Sequence, residues 1–328
     1  MYQCRILCDS ICPFERRLTT FLITFPRVVL AETVTHRMNY DLWGDIGGHL
    51  GRTTTEDISK NSASSRAIPV KRMLDTIMND PYIPRWTANQ AGMQGDYVTD
   101  PGTCEALETV WLRLRHQAVT AARELAELGA HKQDVNRVIE PFAWTTQVVT
   151  SSNWDNYFAL RCHRAAAPAF RSIARPMYLA RRKSTPVVRQ FGQWHLPFVS
   201  EDESRDFFWQ PTGQLLSPDA MPLPIQRSAA RCAWVSYNNH DQQGDDQAVQ
   251  RTYARLFAEV PVHASPIEHQ GTPMLRHATH LDSLRSNLTG WLQARKLVPQ
   301  ERTDTYAPPD AEVDAWEEST WPQATAQD

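Results

Sequence analysis

A short run of hydroxyl, amide and guanidinium side chains is the part of this sequence best suited to bind an anion. The run reads Ser59-Lys-Asn-Ser-Ala-Ser-Ser-Arg-Ala-Ile-Pro-Val70 and is preceded, across a glycine-rich stretch, by Thr35-His36-Arg37. Hydroxyl, amide and backbone N–H groups donate hydrogen bonds to phosphate oxygens, and the Arg66 guanidinium adds a two-pronged donor. The run therefore predicts a phosphate site, although its composition is also that of a polar surface loop.

Two segments resemble motifs of the flavin-dependent thymidylate synthase family. His36-Arg37 followed by Ser59-x-Asn61-x-x-Ser64-x-Arg66 is similar to the family signature R-H-R-x-x-S-x-N-E-x-S-x-R. Far downstream, His263-Ala-Ser-Pro-Ile-Glu268-His269 resembles the family element H-x-[ST]-x-x-E-H. The resemblance implies that both segments line one flavin pocket, within one subunit or across an assembly.

The order of these segments differs from that of most family members. There the H-x-[ST]-x-x-E-H element and an A-R-x-S-Y strand, here at 227–237, precede the signature, whereas in this chain both follow it. This implies a circularly permuted motif order, as in a divergent viral branch of the family, which suggests a bacteriophage protein. Residues 89–94 and 285–296 also resemble that branch, and the second segment offers Gln293 and Arg295 as further phosphate or base contacts.

The resemblance assigns roles to individual residues. Asn156 and Arg161 belong to an N-F-x-x-L-R element, and on one helix they would be offset by about 140°, so that both reach a cavity only at its rim. The positions implied for FAD are His36, Arg37, Asn61, Asn156, His263, Ser265 and Glu268. Those implied for the nucleotide are Glu32, Thr35, Ser62, Ser64, Ser65, Arg66, Arg137 and Arg161. Those implied at the reacting atoms are His36, Arg37 and Arg161.

The family reaction, as the resemblance implies, adds a one-carbon unit from methylenetetrahydrofolate to C5 of dUMP. Reduced FAD supplies hydride and NADPH reloads the flavin, so the protein mainly binds and orients the reactants. Family members build each active site from several subunits, which implies a homotetramer.

Departures from the family pattern leave the substrate open. Thr35 stands in place of the first signature Arg, Ser62 in place of the signature Glu, and Glu32 in place of a Gln. Because a carboxylate accepts a hydrogen bond from an exocyclic amine, dCMP remains an alternative to dUMP, and a hydroxymethyl product an alternative to a methyl product. A third alternative is a catalytically inactive relative that binds nucleotides.

The resemblance implies an α+β fold, with a mixed or antiparallel sheet and long helices, in one domain over residues 1–299. The pattern predicts buried strands over 18–34, a helix over 104–128 capped by Asp100 and Gly129, and further helices over 131–139, 154–182, 246–258 and 281–295. Pro168 and Pro176 are expected to kink or break the 154–182 helix. It also predicts an inserted loop over 38–58, a surface connection over 184–226 and a disordered tail over 300–328.

Composition narrows the function classes. A net charge of −3 over 328 residues argues against general nucleic-acid binding. No stretch approaches the roughly 18 apolar residues that span a bilayer, and no signal pattern is seen, so we expect a cytoplasmic protein. Cys4, Cys8 and Cys12 recur every four residues without matching a cluster motif, and we expect no metal.

Overall fold

A five-stranded mixed sheet organises the chain, of which the computed structural model describes residues 1–34, 58–92, 95–239, 244–258, 262–275 and 277–301. The strands of the described residues are β1 (Gln3–Ile11), β2 (Arg17–Pro26), β3 (Ile58–Ser62), β4 (Trp144–Ser151), β5 (Val187–Val188), β6 (Gly271–Pro273) and β7 (Trp291–Gln293). The sheet order is β3-β4-β2-β1-β5, antiparallel except for the β1–β5 pair, and β6 and β7 form a separate antiparallel ribbon. The predicted α+β class with a mixed sheet is confirmed.

Helices pack on both faces of the sheet. Those of the described residues are α1 (Leu30–Val34), α2 (Val70–Asn79), α3 (Pro101–Glu127), α4 (Lys132–Val138), α5 (Asp155–Arg161), α6 (Pro168–Lys183), α7 (Glu201–Ser204), α8 (Leu223–Trp234) and α9 (Asp246–Leu256). None of the helices found there is both long and apolar enough to cross a bilayer.

The two faces of the sheet differ in chemistry because side chains alternate along each strand. Phe21, Ile23 and Phe25 point to one face, which we call the helix face, and pack against α5 and α6. The other face, which we call the polar face, carries the cross-strand pair Thr20–Thr150 and, beside it on β3, Ser59. A polar strand surface of this kind must be covered by groups that bond to its hydroxyls.

The second half of the chain covers the polar face. Cys232 of α8 and Val235 just after it pack on Leu22 and Val148 of the sheet. Residues of the predicted surface connection 184–226 belong to this layer, because Trp194 and Leu196 are buried in its core. That segment is therefore partly core and not only a surface connection.

The long helix α3 agrees with its prediction. Asp100 caps it by accepting hydrogen bonds from the Thr103 backbone N–H (2.8 Å) and hydroxyl (2.7 Å), and Gly129 ends it at φ +88°. Its apolar stripe is only partly covered, since Val110 and Leu114 remain 52% and 49% exposed. α4 and α9 also form close to the predicted bounds.

Three other segments differ from their predictions in part or in whole. Residues 27–34 leave the sheet after Pro26 as a 3-10 turn and α1, so the predicted strand stops at that proline. The break expected at Pro168 in the 154–182 helix is confirmed, because α5 ends at Arg161 and α6 begins at Pro168, whereas Pro176 lies inside α6. The predicted helix over 281–295 is wrong, because that stretch forms a 3-10 turn and then β7.

The strand implied over 227–237 is wrong as well. That segment lies in α8 and a short 3-10 turn, since its Ala-rich core favours helix.

The three periodic cysteines lie in separate surroundings. A bulge between Ile6 and Cys8 shifts the register of β1, so Cys4 packs on the helix face whereas Cys8 is opposite Thr20 on the polar face. Cys12 is buried in a third cluster with Trp291. Among the described residues no group of His, Cys, Asp and Glu is arranged to hold a metal.

Most of the predicted insertion 38–58 and tail 300–328 lies outside the described residues.

Candidate functional site

The two distant motif segments lie against each other. β3, which carries Ser59 and Asn61, contacts the 3-10 turn Ser265–Glu268. Gln293 joins them, because its Nε2 lies 2.6 Å from the Glu268 carbonyl oxygen and 3.3 Å from the Ser59 hydroxyl. Asn287 adds a further bond to Ser59 at 3.3 Å. The folded chain thus brings the Ser59 and Glu268 segments to one place on the polar face.

Buried polar atoms at this place lack partners. The Asn61 Oδ1, Gln293 Oε1 and His269 Nε2 atoms have no hydrogen-bond partner within the described ranges. Their residues are 4%, 1% and 0% exposed. Because a buried acceptor without a donor costs about 1–3 kcal/mol, such a group of atoms indicates a binding site for polar ligand groups.

An ion-pair cluster fixes the outer side of this site. Arg295 pairs with the Glu268 carboxylate and with Glu301, and Lys296 also pairs with Glu301. Burial alone would raise the pKa of Glu301, but the Lys296 bond and the Arg295 charge hold that pKa below its ordinary value. Arg295, which the sequence suggested as a phosphate or base contact, is thus engaged with two carboxylates.

Glu140 and Asn136 hold the loop after β3 through hydrogen bonds on its inner side. The Ser65 hydroxyl donates to Glu140, which also accepts a bond from Arg27 Nε at 2.8 Å. Asn136 of α4 donates to the Ser65 and Ile68 carbonyl oxygens, each at 2.8 Å. The buried Ser65 side chain therefore points inward and supports the loop.

Unlike Ser65, the other predicted residues on or near this loop are half-buried or exposed. Ser62 accepts a bond from Gln147 Nε2 at 2.8 Å, and the Ser64 backbone N–H donates to the Ser236 carbonyl at 2.9 Å. Arg66 is exposed on the same turn, and Arg137 is exposed one residue beyond the Asn136 that holds the loop. Both arginines are therefore exposed residues on the elements that form and hold this loop.

Other predicted residues lie apart from this cluster. Asn156 and Arg161 are on α5, which packs on the helix face through Tyr157 and Phe158. The Arg161 guanidinium carbon lies 4.7 Å from the centre of the Phe170 ring. Within one chain, the sheet separates this pair from Asn61.

The remaining predicted site residues are exposed or half-buried, or they lie outside the residues that the structure describes. His263 is exposed and Ser265 is half-buried at the turn. Glu32 is exposed on α1, the last described element before the gap. Thr35, His36 and Arg37 lie outside the described residues.

Sequence reasoning missed several residues of the site. Asn287 lies in the 285–296 segment but received no role, Glu140 received none, and the buried His195 lay in a segment expected at the surface. His269 was visible as the last residue of the H-x-[ST]-x-x-E-H element but received no role. Gln293, by contrast, was named as a contact through the resemblance of residues 285–296.

Comparison with known proteins gives a family for the chain. A family model described as thymidylate synthase complementing protein matches residues 11–187, which is more than half of the chain. The chain belongs to that family. This is the flavin-dependent thymidylate synthase family that the motifs resembled. The matched span contains β3 and its loop, whereas His263, Ser265 and Glu268 lie beyond it.

Comparison with curated proteins and with solved structures gives no match in the first case and distant similarity in the second. No curated protein matches the sequence. The chain is similar to the UMP/dUMP methylase PolB from Streptomyces cacaoi bound with 5-Br UMP, with 13% identity and a TM-score of 0.41 over 55% of this chain and 88% of that one. A second structure of that methylase, bound with 5-Br dUMP, is 16% identical with a TM-score of 0.33 over 51% of this chain and 65% of that one.

Proposed function

We propose that this protein transfers a one-carbon unit to C5 of a pyrimidine nucleotide, with dUMP as the substrate and dTMP as the product. Membership of the thymidylate synthase complementing protein family supports the reaction class. The observation that carries the proposal is the bond network in which Gln293 joins Ser59 of β3 to Glu268 of the distant turn. It gathers both motif segments around buried atoms that have no hydrogen-bond partner among the described residues.

The nucleotide phosphate binds at the loop after β3. Arg66 and Arg137 supply the positive charge, and Ser64 supplies a hydroxyl at the half-buried edge of the loop. Ser65 contributes by bracing the loop through Glu140 rather than by touching the phosphate. Ser62 and Glu32 lie on either side of this region in sequence and contact the base.

FAD fits the acceptors at the centre of the site. The buried Asn61 Oδ1 suits an imide N–H, a donor that an isoalloxazine ring carries. The residues that hold the cofactor are His36, Arg37, Asn61, Asn156, His263, Ser265 and Glu268. When bound, the flavin supplies hydride, while methylenetetrahydrofolate and NADPH serve as co-substrates. Around it, Gln293 orients the Glu268 turn by bonding to its carbonyl oxygen, and the Arg295 ion pair fixes the position of the Glu268 carboxylate.

A homotetramer completes the site. Asn156 and Arg161 lie on α5, which packs on the helix face of their own sheet, so their contact with the Asn61 cluster is assigned to a second copy of the chain. The exposed apolar stripe of α3 offers a surface for that association.

Two alternatives predict different products. A dCMP-directed enzyme would transfer a hydroxymethyl group, with water rather than hydride trapping the one-carbon unit, and Glu32 is the feature that favours it. An inactive relative would bind nucleotide and transfer nothing.

One experiment separates the three. The full chain is incubated with dUMP or dCMP, methylenetetrahydrofolate and NADPH, and the nucleotide is analysed by mass spectrometry. A methyl gain on dUMP supports the proposal, and a hydroxymethyl gain on dCMP supports the first alternative. A colourless protein that takes up no FAD and changes neither nucleotide would leave only the inactive relative.

A further inference from the structure

A chain of hydrogen bonds crosses the polar face of the sheet. The Ser10 hydroxyl lies 2.9 Å from His195 Nδ1, and His195 Nε2 lies 2.8 Å from the Thr20 hydroxyl. Thr20 and Thr150 lie 2.6 Å apart through their hydroxyls, and Thr150 lies 2.8 Å from His269 Nδ1. These four bonds link three strands of the sheet to the turn that carries Glu268.

The linked groups are all shielded from solvent. Each of the five residues is 0% exposed. Burial lowers the pKa of His195 and of His269 to about 3, so both imidazoles are neutral near pH 7. A neutral imidazole has one donor and one acceptor nitrogen, and a hydroxyl donates one hydrogen bond while accepting others.

When every group in the chain donates to the next one, the hydrogen bonds can run in only two directions. If His269 Nδ1 donates to Thr150, then Thr150 donates to Thr20, Thr20 donates to His195 Nε2, and His195 Nδ1 donates to Ser10. If the direction is reversed, His269 Nε2 carries the proton. The tautomer of His269 is therefore coupled to that of His195 through two hydroxyl groups.

One end of the chain opens to a cavity. The Ser10 hydroxyl lies 3.8 Å from Cys8 Sγ, and Cys8 lines a cavity of about 200 Å³ together with Asp9, Arg189 and Glu201. A cavity of this size with charged groups in its wall holds water. The cavity contains none of the residues assigned to the candidate site.

The other end stops at the candidate site. His269 Nε2 has no hydrogen-bond partner in the part of the chain that is described. The Thr150 to which His269 bonds is the cross-strand partner of Ser59, and Ser59 in turn accepts a bond from Gln293. The unpartnered nitrogen thus belongs to the same cluster as Asn61 and the Glu268 turn.

We propose that Ser10, His195, Thr20, Thr150 and His269 form a proton relay between the candidate site and the cavity beside Cys8. This rests on the proposed function, in which carbon replaces the C5 hydrogen of the pyrimidine. The C5–H bond breaks, its electron pair stays in the ring, and the hydrogen leaves as a proton. Nε2 of His269 accepts one proton from the site, each bond of the chain passes one proton on, and Ser10 releases one toward Cys8 and the cavity water.

A test of the relay that needs no turnover uses histidine labelled with ¹⁵N in the full chain. The ring-nitrogen shifts report which nitrogen is protonated, and the His269 signals are assigned by their loss in His269→Gln. We expect Ser10→Ala to change the His269 shifts in the parent protein but not when Thr20→Val has cut the chain. Unchanged His269 shifts in Ser10→Ala would overturn the relay.

The chain offers a matched control for this test. Thr24 and Thr146 form the next hydroxyl pair on the same face of the same strands, at 3.1 Å, and lie outside the relay. In a Thr24→Val background, Ser10→Ala must still change the His269 shifts. An equal loss of coupling in Thr24→Val and Thr20→Val would mean general disturbance of the sheet and would also overturn the proposal.

Turnover then tests whether the relay serves the reaction. We expect Thr20→Val to lower the rate of nucleotide product formation about tenfold or more, with flavin absorption retained, and Thr24→Val to leave it unchanged. Equal rates in the two variants would overturn this use of the relay. If the parent protein forms no product at all, the proposed function is wrong. The ¹⁵N shifts of His269 test the relay independently of that outcome, because they need no turnover.

Discussion

Gln293 donates a hydrogen bond to the Ser59 hydroxyl across 234 positions of sequence, at a distance of 3.3 Å. The same amide nitrogen lies 2.6 Å from the Glu268 carbonyl oxygen, so one side chain holds two motif segments in register. Its Oε1 atom is buried without a partner among the described groups. This arrangement makes Gln293 both a structural link and a candidate ligand contact.

Replacing Gln293 with Leu keeps the approximate volume but removes the amide. The Ser59 and Glu268 oxygens would then be buried with fewer donors, so we expect the free energy of unfolding to fall by about 1–3 kcal/mol. We also expect the variant to lose bound flavin. Urea unfolding and the flavin absorption band measure the two effects.

The exposed Gln190 provides the control for that variant. Gln190→Leu removes an amide from the surface and should change stability by less than about 0.5 kcal/mol. If Gln293→Leu behaved like Gln190→Leu in both measurements, the bond network would not hold the site together.

Arg66→Ala tests the phosphate loop. Arg66 is exposed beside a loop that Glu140 and Asn136 hold from inside, so its removal should leave the fold intact. Because a charged hydrogen bond contributes about 1.5–3 kcal/mol, we expect nucleotide affinity to fall by roughly 10- to 150-fold while FAD stays bound. Isothermal titration with dUMP measures the change.

Arg113 is the matched control for the phosphate loop. It is an exposed arginine on α3 that belongs to no part of the proposed phosphate site, and Arg113→Ala should bind dUMP as the parent does. An Arg66→Ala protein with parental affinity would show that the phosphate assignment is wrong.

Glu140→Ala tests the support beneath the loop. Arg27, whose side chain is 9% exposed, would lose the carboxylate that neutralises it, and the Ser65 hydroxyl would lose its acceptor. Since Glu140 is itself 31% exposed, we expect a moderate loss of stability of about 1–3 kcal/mol, together with weaker nucleotide binding. Thermal unfolding and dUMP titration check this, and parental values in both would contradict the supporting role.

The pair Glu203–Arg231 should make stability depend on acid pH. The Arg231 hydrogen bonds lower the pKa of Glu203 from 4.5 to about 2. A carboxyl whose pKa is lower in the folded state stabilises the fold above its unfolded pKa, and this contribution is lost as pH falls from about 4.5 to 2.

Glu203→Gln isolates this contribution. The parent should therefore lose more free energy of unfolding than Glu203→Gln between pH 5 and pH 2, as measured by urea unfolding. Parallel curves for the two proteins would mean that the pair does not contribute in solution.

The sequence predicted correctly those helices whose ends and faces are set by residues close to one another in the chain. The α3 helix was found because Asp100, Gly129 and a repeating apolar stripe all act within a few residues. The 281–295 segment has similar apolar spacing but is not a helix, since Trp291 and Leu292 pair with β6 instead and Gly290 takes a φ of +85°. That pairing is a tertiary contact that no local pattern carries.

The same limit applies to the site. The Ser59–Arg66 run could be recognised from residue types, and Glu268 from its motif. The meeting of His195 with Thr20 depends on the antiparallel bridge between His195 and Gly271, which forms only when the second half of the chain folds over the sheet. Ser65 was expected to contact phosphate, but its hydroxyl bonds to Glu140 instead. That bond could not be predicted, because no signal in the sequence indicated that Glu140 lies beside the loop.

Leu114→Glu tests assembly through α3. On a helix with about 100° per residue, Val110, Leu125 and Leu128 all lie within about 40° of Leu114, so these four exposed side chains form one stripe. The buried residues Val119 and Ala122 lie on another side of the helix.

A carboxylate in the middle of this stripe should dissociate an assembly that buries it, because an unpaired charge is costly in an apolar interface. We expect Leu114→Glu to elute as a smaller species in size-exclusion chromatography with light scattering, and to lose turnover if the active site needs residues from a second copy. Arg123→Glu places the same side chain about 180° around the helix and should leave the assembly intact. A Leu114→Glu protein with the parental mass would exclude this stripe as the contact between copies.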